Sequence, residues 1–379
     1  MSMVNARIEL IIGPVFSGKT TELIRRVRRY SVQGKRIFPI NFNGDIESHD
    51  SDRYQNCTLV NDLEEITTKY LNKLKNSDVL MIDNLHFYHD AEEYIPVFCN
   101  KYKKIVIASG LDSNYERVPY LNVLNLIPKS ENVTKLTALS NSKNRPAIFS
   151  KKINDSKFSA VTRKEYLNSK NCGEFQLILG PMFSGKTTEI IRRGLRYANI
   201  GKKILSINHA SDTRYTSGEI CSHDKRKIQD TISLSNLEDL IKIYKDNIDK
   251  SDVIVIDEIQ FFNNSYDTIK KLVEDFNKIV IVAGLDGDHM QRPFGDTCKL
   301  VSFADSVEKL NAVCVLTDNY QEAPFTRRLN FDNRQQLVGS NELYIACSRE
   351  IYYLPFESFI QKYKSIIMKE KESNFSSAH

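Results

Sequence analysis

The sequence contains no tryptophan and only seven cysteines among 379 residues. An odd number of cysteines without regular spacing does not build a disulfide framework, so we expect free thiols and a reducing location, cytoplasmic or nuclear. Long apolar runs are also missing, because stretches such as residues 253–256 (VIVI) are far too short to span a bilayer. The first ten residues lack the apolar core of a signal peptide. These absences exclude a small disulfide-rich module and predict no membrane partner.

An excess of charge of one sign is absent as well. The net charge is only +5 and is spread along the chain without a dense basic block, so we expect no nucleic-acid partner. Hydrophobic residues make up 41% and charged residues 27% of the chain, as in ordinary folded soluble proteins and unlike disordered chains. The composition therefore predicts a folded protein long enough for two domains.

An internal repeat organises the chain. The segment IELIIGPVFSGKTTELIRR at residues 8–26 recurs as FQLILGPMFSGKTTEIIRR at residues 175–193. Further along, SDVLMIDNLHF is matched by SDVIVIDEIQF, and KKIVIASGLD by NKIVIVAGLD. Such a repeat indicates two homologous domains in tandem. We predict domains at residues 1–170 and 171–355 and a C-terminal tail at 356–379, which reads as a short helix with a frayed end.

Each repeat reads as a strand, a glycine loop, a helix, and then buried strands that end in an acidic residue. Continuous apolar runs such as VIVI are typical of parallel strands covered on both faces. We therefore predict an α/β fold with two tandem P-loop domains, each built on a central parallel sheet.

The pattern GxxxxGK[ST] occurs twice between a strand and a helix. In this motif the backbone N–H groups wrap a phosphate, the lysine reaches the β and γ phosphates, and the threonine hydroxyl contacts Mg²⁺. The alternatives are a chance glycine turn and, for the first copy, a loop that keeps its shape without its nucleotide. The second copy comprises Gly180, Pro181, Met182, Phe183, Ser184, Gly185, Lys186 and Thr187, and the first contains Gly13, Gly18, Lys19 and Thr20.

Asp257 and Glu258 follow the buried strand VIVI in the second repeat. In a P-loop fold the strand-end acid lies beside Mg²⁺, and a second carboxylate next to it can accept a proton from a substrate hydroxyl. The alternative is an acidic pair that caps a strand in solvent. The pair makes Asp257 a candidate metal ligand and Glu258 a candidate base.

Five ordered motifs of the second half, from residue 175 to about 350, resemble the type II thymidine kinases of animals, bacteria and poxviruses. The motifs are LGPMFSGKTTEIIRR, SDTRY, VIDEIQFF, GLDG with RPFG, and TRRL. The resemblance implies transfer of a phosphoryl group from ATP, with Mg²⁺, to the 5′-hydroxyl of thymidine and of deoxyuridine. It also implies a small lasso-type C-terminal subdomain in each of the two domains, with the lasso loop of the second domain at about residues 325–344. It further implies a homo-oligomer, for which two tandem chains would supply four kinase folds.

The resemblance also implies roles for individual residues. Glu258 matches the general base, with Lys186 and Arg214 as the other catalytic residues, and Arg328 adds positive charge near the phosphates. Residues implied in binding the nucleoside are Met182, Asp212, Arg214, Phe261, Leu285, His289, Thr326, Gly339 and Tyr344. For Met182, Leu285 and Phe261 the alternative is plain core packing. His289 stands where the family has an aromatic residue that stacks on the base, and Met290 could fill that space instead.

The first half resembles the family less closely. Asn84 stands where Glu258 stands in the second half, and a carboxamide cannot accept a proton at neutral pH. Ser51 replaces Asp212. Ser140 and Lys143 occupy the positions of the first of the two CxxC cysteine pairs that the family has. We interpret this half as a pseudokinase with a weak second nucleotide site.

The leading hypothesis is therefore a thymidine kinase whose second half is catalytic. The alternatives are a catalytically inactive nucleotide-binding scaffold and a P-loop ATPase that acts on nucleic acid. Glu258 argues against the scaffold, because a scaffold needs no base beside the metal. The weak net charge argues against the ATPase.

We predict that the purified protein carries little or no zinc. The family's lasso is held by zinc on two CxxC pairs, but only Cys314 and Cys347 remain here, with Thr317 and Glu350 at the second positions. Structural zinc normally takes four protein ligands, and Glu350 could supply only one further oxygen. Metal analysis should find well below one zinc per chain. One tightly bound zinc that is lost on Cys314→Ser would contradict this prediction.

Overall fold

The computed structural model describes part of the chain. The described residues are 6–48, 53–140, 145–155, 157–211, 220–221, 227–228, 231–317, 319–332, 334–335 and 343–376.

The first half forms one parallel sheet of six strands with helices on both faces. The strands of the first half, six of which form this sheet, are β1 Arg7–Ile12, β2 Ile37–Asn41, β3 Ile46–Glu47, β4 Arg53–Tyr54, β5 Thr58–Leu59, β6 Val79–Ile82, β7 Ile105–Gly110, β8 Asn132–Lys135, β9 Ala138–Leu139, β10 Pro146–Ala147, β11 Phe149–Asn154 and β12 Lys157–Val161. Its helices are α1 Lys19–Val32, α2 Glu64–Thr68, α3 Leu71–Asn76, α4 Ala91–Asn100, α5 Leu121–Leu124 and α6 Arg163–Leu167, with 3-10 turns at Leu85–Phe87 and Ile127–Lys129. The sheet order is β5-β2-β6-β7-β1-β8.

The second half repeats this arrangement. Its strands are β13 Glu174–Leu179, β14 Ile204–His209, β15 Ile220–Cys221, β16 Lys227–Ile228, β17 Thr231–Leu234, β18 Val253–Ile256, β19 Ile279–Gly284, β20 Ser306–Lys309, β21 Ala312–Val313, β22 Glu322–Ala323, β23 Phe325–Arg328 and β24 Tyr344–Cys347. Its helices are α7 Lys186–Ala198, α8 Glu238–Ile243, α9 Lys245–Lys250, α10 Ser265–Glu274, α11 Thr297–Leu300, α12 Arg349–Tyr352 and α13 Phe356–Ser376, with a 3-10 turn at Ile259–Phe261. The sheet order, β17-β14-β18-β19-β13-β20, matches the first sheet strand for strand, which confirms the predicted α/β class with two parallel sheets.

The central strands are apolar on both faces because helices cover both faces. In β1, Leu10 points into a large core that runs through both halves, and Ile11 points into a separate core beneath α1. α1 contributes Leu23, Ile24 and Val27 to that separate core. Burial on both faces explains why these strands read as continuous apolar runs in the sequence.

A two-stranded antiparallel hairpin follows each sheet. In the second half β23 pairs with β24, and residues 329–343 connect them. In the first half β11 pairs with β12, and only residues 155–156 connect them. The long connection of the second hairpin coincides with the lasso expected at residues 325–344, whereas the first hairpin is closed by a tight turn.

The C-terminal helix α13 is longer than the short helix expected from the sequence. Its Phe359 is fully buried in a small core with β21 to β24, and Phe356 and Tyr363 pack against that core. In the described part of the chain, no helix is both long and apolar enough to cross a membrane.

The two sheets approach each other through their edge strands, β8 and β20. Lys135 of β8 donates to the carbonyl of Val301 at 2.6 Å, across the boundary between the halves. Lys309 of β20 reciprocates, donating to the carbonyls of Ile127 and Ser130, each at 2.7 Å. This exchange of equivalent contacts is the pattern of an isologous interface, here formed within one chain.

Candidate active site

The glycine loop between β13 and α7 is held in the shape of a phosphate cradle. Gly180 has a φ of +153°, and a Cβ there would lie 2.5 Å from the carbonyl oxygen of Leu310, so only glycine fits. Ser184 Oγ and Lys186 Nζ donate to the carbonyl of Pro181 at 2.9 and 2.6 Å. Gly185, at φ +82°, is the N-cap of α7, so the N-terminus of the helix directly follows the loop. The loop can therefore bind an anion through its backbone.

Asp257 lies directly after β18 and is joined to the start of α7. Thr187 Oγ1 donates to Asp257 Oδ2 at 2.8 Å. A hydroxyl and a carboxylate supply the hard oxygen ligands that Mg²⁺ prefers, and Mg²⁺ is usually bound by few protein groups together with substrate phosphates. Among the described residues, no group of three or more His, Cys, Asp or Glu side chains that could hold a metal ion is found.

Glu258 occupies a strained position beside Asp257. Its backbone is left-handed, with φ +55° and ψ +41°, and its N–H donates to Asp257 Oδ1 at 2.9 Å. The side chain is only 7% exposed. A left-handed conformation is unfavourable for glutamate by roughly 1 kcal/mol, and such residues concentrate at functional sites. The strained turn holds a buried carboxylate next to the candidate metal ligand.

Gln260 is a site residue that the sequence analysis missed. Its side-chain amide donates to the Glu258 carboxylate, and its Oε1 accepts a hydrogen bond from the N–H of Leu285 at 3.0 Å. Gln260 is buried at 3% exposure. It therefore connects the candidate base to a wall of the candidate nucleoside pocket. The signal in the sequence was a polar residue among the apolar residues IQFF that follow the acidic pair.

The residues expected to wall the base are drawn together by neighbouring elements. The N–H of Met182 donates to Thr326 Oγ1 at 2.9 Å, which joins the phosphate loop to β23. Phe261 packs perpendicular to Phe294, with ring centroids 5.6 Å apart. Leu285 is partly exposed, as the wall of an open pocket would be. The phosphate loop follows β13, Phe261 follows β18 and Leu285 follows β19, so these segments lie at the same carboxyl-end edge of the parallel sheet.

His289 is partly exposed on the loop that follows β19. Burial, and secondly the nearby Arg328 guanidinium, lower the pKa of His289 below its ordinary value. The imidazole is therefore neutral at physiological pH, which suits stacking on an uncharged ring. Its carbonyl accepts a hydrogen bond from Tyr352 Oη at 2.8 Å.

Arg328 lies within the lasso segment. Its guanidinium donates to the carbonyl of Asp332, to the carbonyl of Arg334 at 2.8 Å and to Tyr344 Oη at 2.6 Å. It is 3% exposed. Arg328 therefore ties the beginning of the segment to Tyr344 at its end, a role that the resemblance did not suggest. Three other expected site residues, Asp212, Arg214 and Gly339, lie outside the described residues.

The first half keeps the geometry of the cradle. Gly13 has a φ of +149°, Lys19 Nζ donates to the carbonyl of Pro14 at 2.5 Å, and Thr20 Oγ1 donates to Asp83 Oδ2 at 2.9 Å. Burial lowers the pKa of Lys19 to about 8, although Asp112 and Asp83 oppose the shift. The groups that would face a phosphate are thus present in both halves.

The first half differs where the second half carries its candidate base. Asn84 has the same left-handed backbone as Glu258, with φ +56° and ψ +39°. Asparagine tolerates this conformation better than glutamate does. The N–H of Val15 donates to Ser150 Oγ at 3.1 Å, so Ser150 of β11 corresponds to Thr326 of β23. The hairpin that carries Ser150 is nevertheless closed by a tight turn.

The two remaining cysteines of the lasso subdomain share its small core. Cys314 and Cys347 are both fully buried. Burial, and secondly the proximity of Cys314, raise the pKa of the Cys347 thiol. Thr317 Oγ1 donates to the carbonyl of Cys314 at 3.1 Å. In the first half Ser140 stands where Cys314 stands in the second half, and its Oγ donates to the Glu165 carboxylate at 2.6 Å.

Comparison with known proteins bears on both halves. The family model described as thymidine kinase matches residues 6–168 and again residues 173–352. Thymidine kinase a of Arabidopsis thaliana is 37% identical over 191 residues, which cover 49% of this chain and 77% of the plant protein. The thymidine kinase of Monkeypox virus is 37% identical over 182 residues, 48% of this chain and 98% of the viral protein. That of Myxoma virus is 36% identical over 181 residues, 48% of this chain and 97% of the viral protein.

The strained turn predicts opposite stability effects of exchanging its residue between the halves. Glu258→Asn should raise the free energy of unfolding by about 1 kcal/mol, because asparagine tolerates the left-handed backbone better and the buried charge of Glu258 is removed. Asn84→Glu should lower it by a similar amount. Thermal and denaturant unfolding of the two purified variants measures both changes. A fall in stability for Glu258→Asn would show that its backbone stores no strain.

Proposed function

The chain belongs to the thymidine kinase family, and we propose that its second half transfers the γ-phosphoryl group of ATP to the 5′-hydroxyl of thymidine and of deoxyuridine. The observation that carries the proposal is the position of Glu258, a buried carboxylate next to Asp257 and the glycine loop. A bare nucleotide-binding scaffold requires no proton acceptor held in this way, and the net charge of only +5 argues against an ATPase that acts on nucleic acid.

The phosphate loop and Lys186 bind the triphosphate. The ammonium group of Lys186, which donates to the carbonyl of Pro181 here, can turn to the β and γ phosphates when nucleotide enters. Thr187 and Asp257 would hold Mg²⁺, which when bound neutralises negative charge on the phosphates. The N–H groups at the start of α7 add a positive dipole end to the same site.

Glu258 acts as the general base. Its carboxylate accepts the proton of the 5′-hydroxyl as that oxygen bonds to the γ-phosphorus and the bond to the β-phosphate oxygen breaks, leaving ADP. Gln260 orients the carboxylate through its amide. We propose that Arg214 stabilises the charge that develops on the transferred group and that Asp212 binds the 3′-hydroxyl.

The thymine ring binds between apolar side chains and main-chain groups of the lasso segment. Met182, Phe261, Leu285, His289 and Tyr344 form the walls, and Thr326 fixes the phosphate loop against β23. Main-chain donors and acceptors, including those near Gly339, would read the edge of the ring. A site built on such groups rejects a base whose donors and acceptors are arranged differently, such as cytosine.

The first half is proposed to be non-catalytic. Asn84 offers an amide where the reaction needs a proton acceptor, and the tight hairpin of β11 and β12 leaves no long segment to cover a nucleoside. We place the boundary between the halves near residue 170, so that α6 belongs to the first half and β13 opens the second.

Replacing the general base should impair turnover and spare nucleotide binding. We expect Glu258→Gln to lower kcat by about a hundredfold or more, the usual effect of losing a general base, because the amide keeps the shape and loses the proton acceptor. Steady-state kinetics with saturating ATP and thymidine, together with calorimetric titration of ATP, measure both effects. Retention of more than half the wild-type turnover would remove Glu258 from the mechanism.

The two loop lysines should contribute unequally. We expect Lys186→Ala to abolish phosphorylation of thymidine, because it removes positive charge from the transferred group, and Lys19→Ala to leave most of it. Labelled thymidine, assayed with each variant under identical conditions, measures the difference. An equal loss in the two variants would mean that the first half completes the active site.

A further inference from the structure

Arg349 links the second half to the first. It is the first residue of α12 and follows β24, the strand that returns from the lasso segment. Its Nε and Nη2 atoms donate to the two carboxylate oxygens of Glu131 at 2.5 and 2.9 Å. Further bonds run to the carbonyl of Lys129 at 2.5 Å and to Asn100 Oδ1 at 2.8 Å. All three partners belong to the first half.

The guanidinium is shielded from water. Arg349 is 9% exposed, and its Cζ lies 5.0 Å from the ring centroid of Phe325. A bidentate, largely buried arginine–carboxylate pair is stronger and more directional than a surface ion pair. Removing one partner leaves the other buried without its counter-charge, which is costly.

Arg163 makes the reciprocal contact from the first half. It follows β12 and donates to the carbonyl of Phe303 and to Asp305 Oδ2, each at 2.7 Å, and it also pairs with Glu274 at 3.4 Å. Glu131 accepts a hydrogen bond from the N–H of Ile8 in β1, and Asp305 accepts one from the N–H of Phe175 in β13. Because β1 and β13 are equivalent strands, Glu131 and Asp305 occupy corresponding places in the two halves. The two arginine contacts are therefore a structural pair.

The two arginine contacts differ in the hairpin that precedes each arginine. Arg163 follows a hairpin closed by residues 155–156, whereas Arg349 follows the hairpin that carries residues 329–343. In addition, Tyr352 at the end of α12 donates to the carbonyl of His289 at 2.8 Å, and Tyr353, the next residue, donates to Gln291 Oε1 at 2.7 Å. α12 thus joins the first half both to β24, which returns from the lasso segment, and to the loop that carries His289.

A second contact from the first half reaches the same loop. A Cβ added at Gly287 would lie 2.5 Å from Pro128 Cβ, so the loop that carries His289 packs closely against the first half. Lys309, which donates to carbonyls of the first half, also pairs with Asp286 at 2.5 Å. The first half therefore contacts the nucleoside side of the pocket at two places.

We propose that the first half positions the nucleoside pocket of the second half through the Arg349–Glu131 contact, so that Glu131 is a positioning residue for thymidine and not for ATP. The inference rests on the proposed function. It gives the non-catalytic half a specific task, which is to hold α12 and, through it, β24 and the His289 loop.

The test compares matched substitutions in the two arginine contacts. Glu131→Gln keeps the size of the side chain and removes the charge that Arg349 faces. Asp305→Asn is the corresponding change beside Arg163, which keeps its second carboxylate partner, Glu274. We expect Glu131→Gln to raise the KM for thymidine about tenfold, the scale of one lost charge-assisted hydrogen bond, and to leave the KM for ATP within about twofold. Asp305→Asn should change neither KM beyond about twofold.

Two further measurements keep the result interpretable. Thermal unfolding shows whether both variants fold, and Arg349→Lys, which keeps the charge and loses the fork, should raise the KM for thymidine in the same selective way. An unchanged KM for thymidine, a parallel rise in both KM values, or the same rise in Asp305→Asn would each overturn the inference.

The proposed function can fail separately. A wild-type protein that does not phosphorylate thymidine would refute that function by itself. Calorimetric titration of thymidine into the wild type and Glu131→Gln then decides the inference, which requires weaker binding in the variant and is overturned by equal or absent binding in both.

Discussion

The parallel register of the central sheet is the constraint on which the candidate site depends. β18, β19 and β13 are neighbours, so their carboxyl ends lie along one edge. The glycine loop follows β13, the two carboxylates follow β18 and Leu285 follows β19. In open α/β sheets ligands bind at this edge, and the Thr187–Asp257 hydrogen bond of 2.8 Å joins two of the three segments. The same register in the first half preserves the Thr20–Asp83 bond.

The two halves share one scaffold and differ in two features of the candidate site. At the turn after the buried strand, Asn84 and Glu258 share a left-handed backbone, but only Glu258 can accept a proton. At the hairpin, Ser150 and Thr326 make the same contact to the phosphate loop, but only the second hairpin has a long connection. The scaffold is common to both halves, and the candidate site differs at this side chain and in the length of this connection.

The sequence predicted what is encoded locally. Short sequence patterns predicted both glycine loops, the strand-end acids and the tandem repeat, and the structure has each of them at the predicted place. Gln260, the short first hairpin and the length of α13 were missed, because each becomes meaningful only when segments are placed side by side. The contact of Arg349 with Glu131 joins residues more than two hundred positions apart, and no local pattern encodes it. For Arg328 the family motif located the residue and did not give its partners.

The exchange of lysine contacts between Lys135 and Lys309 has a further consequence, because both belong to one polypeptide. Between separate chains such an interface would weaken on dilution, whereas a covalent link gives each half a fixed effective concentration of the other. Because the two halves can differ in sequence, the surfaces that they contribute to this interface need not be identical. Glu274 faces Arg163, while Asn100 takes the corresponding place beside Arg349. A charge can therefore be altered at one of the two arginine contacts without altering the other, which is impossible in a dimer of identical chains.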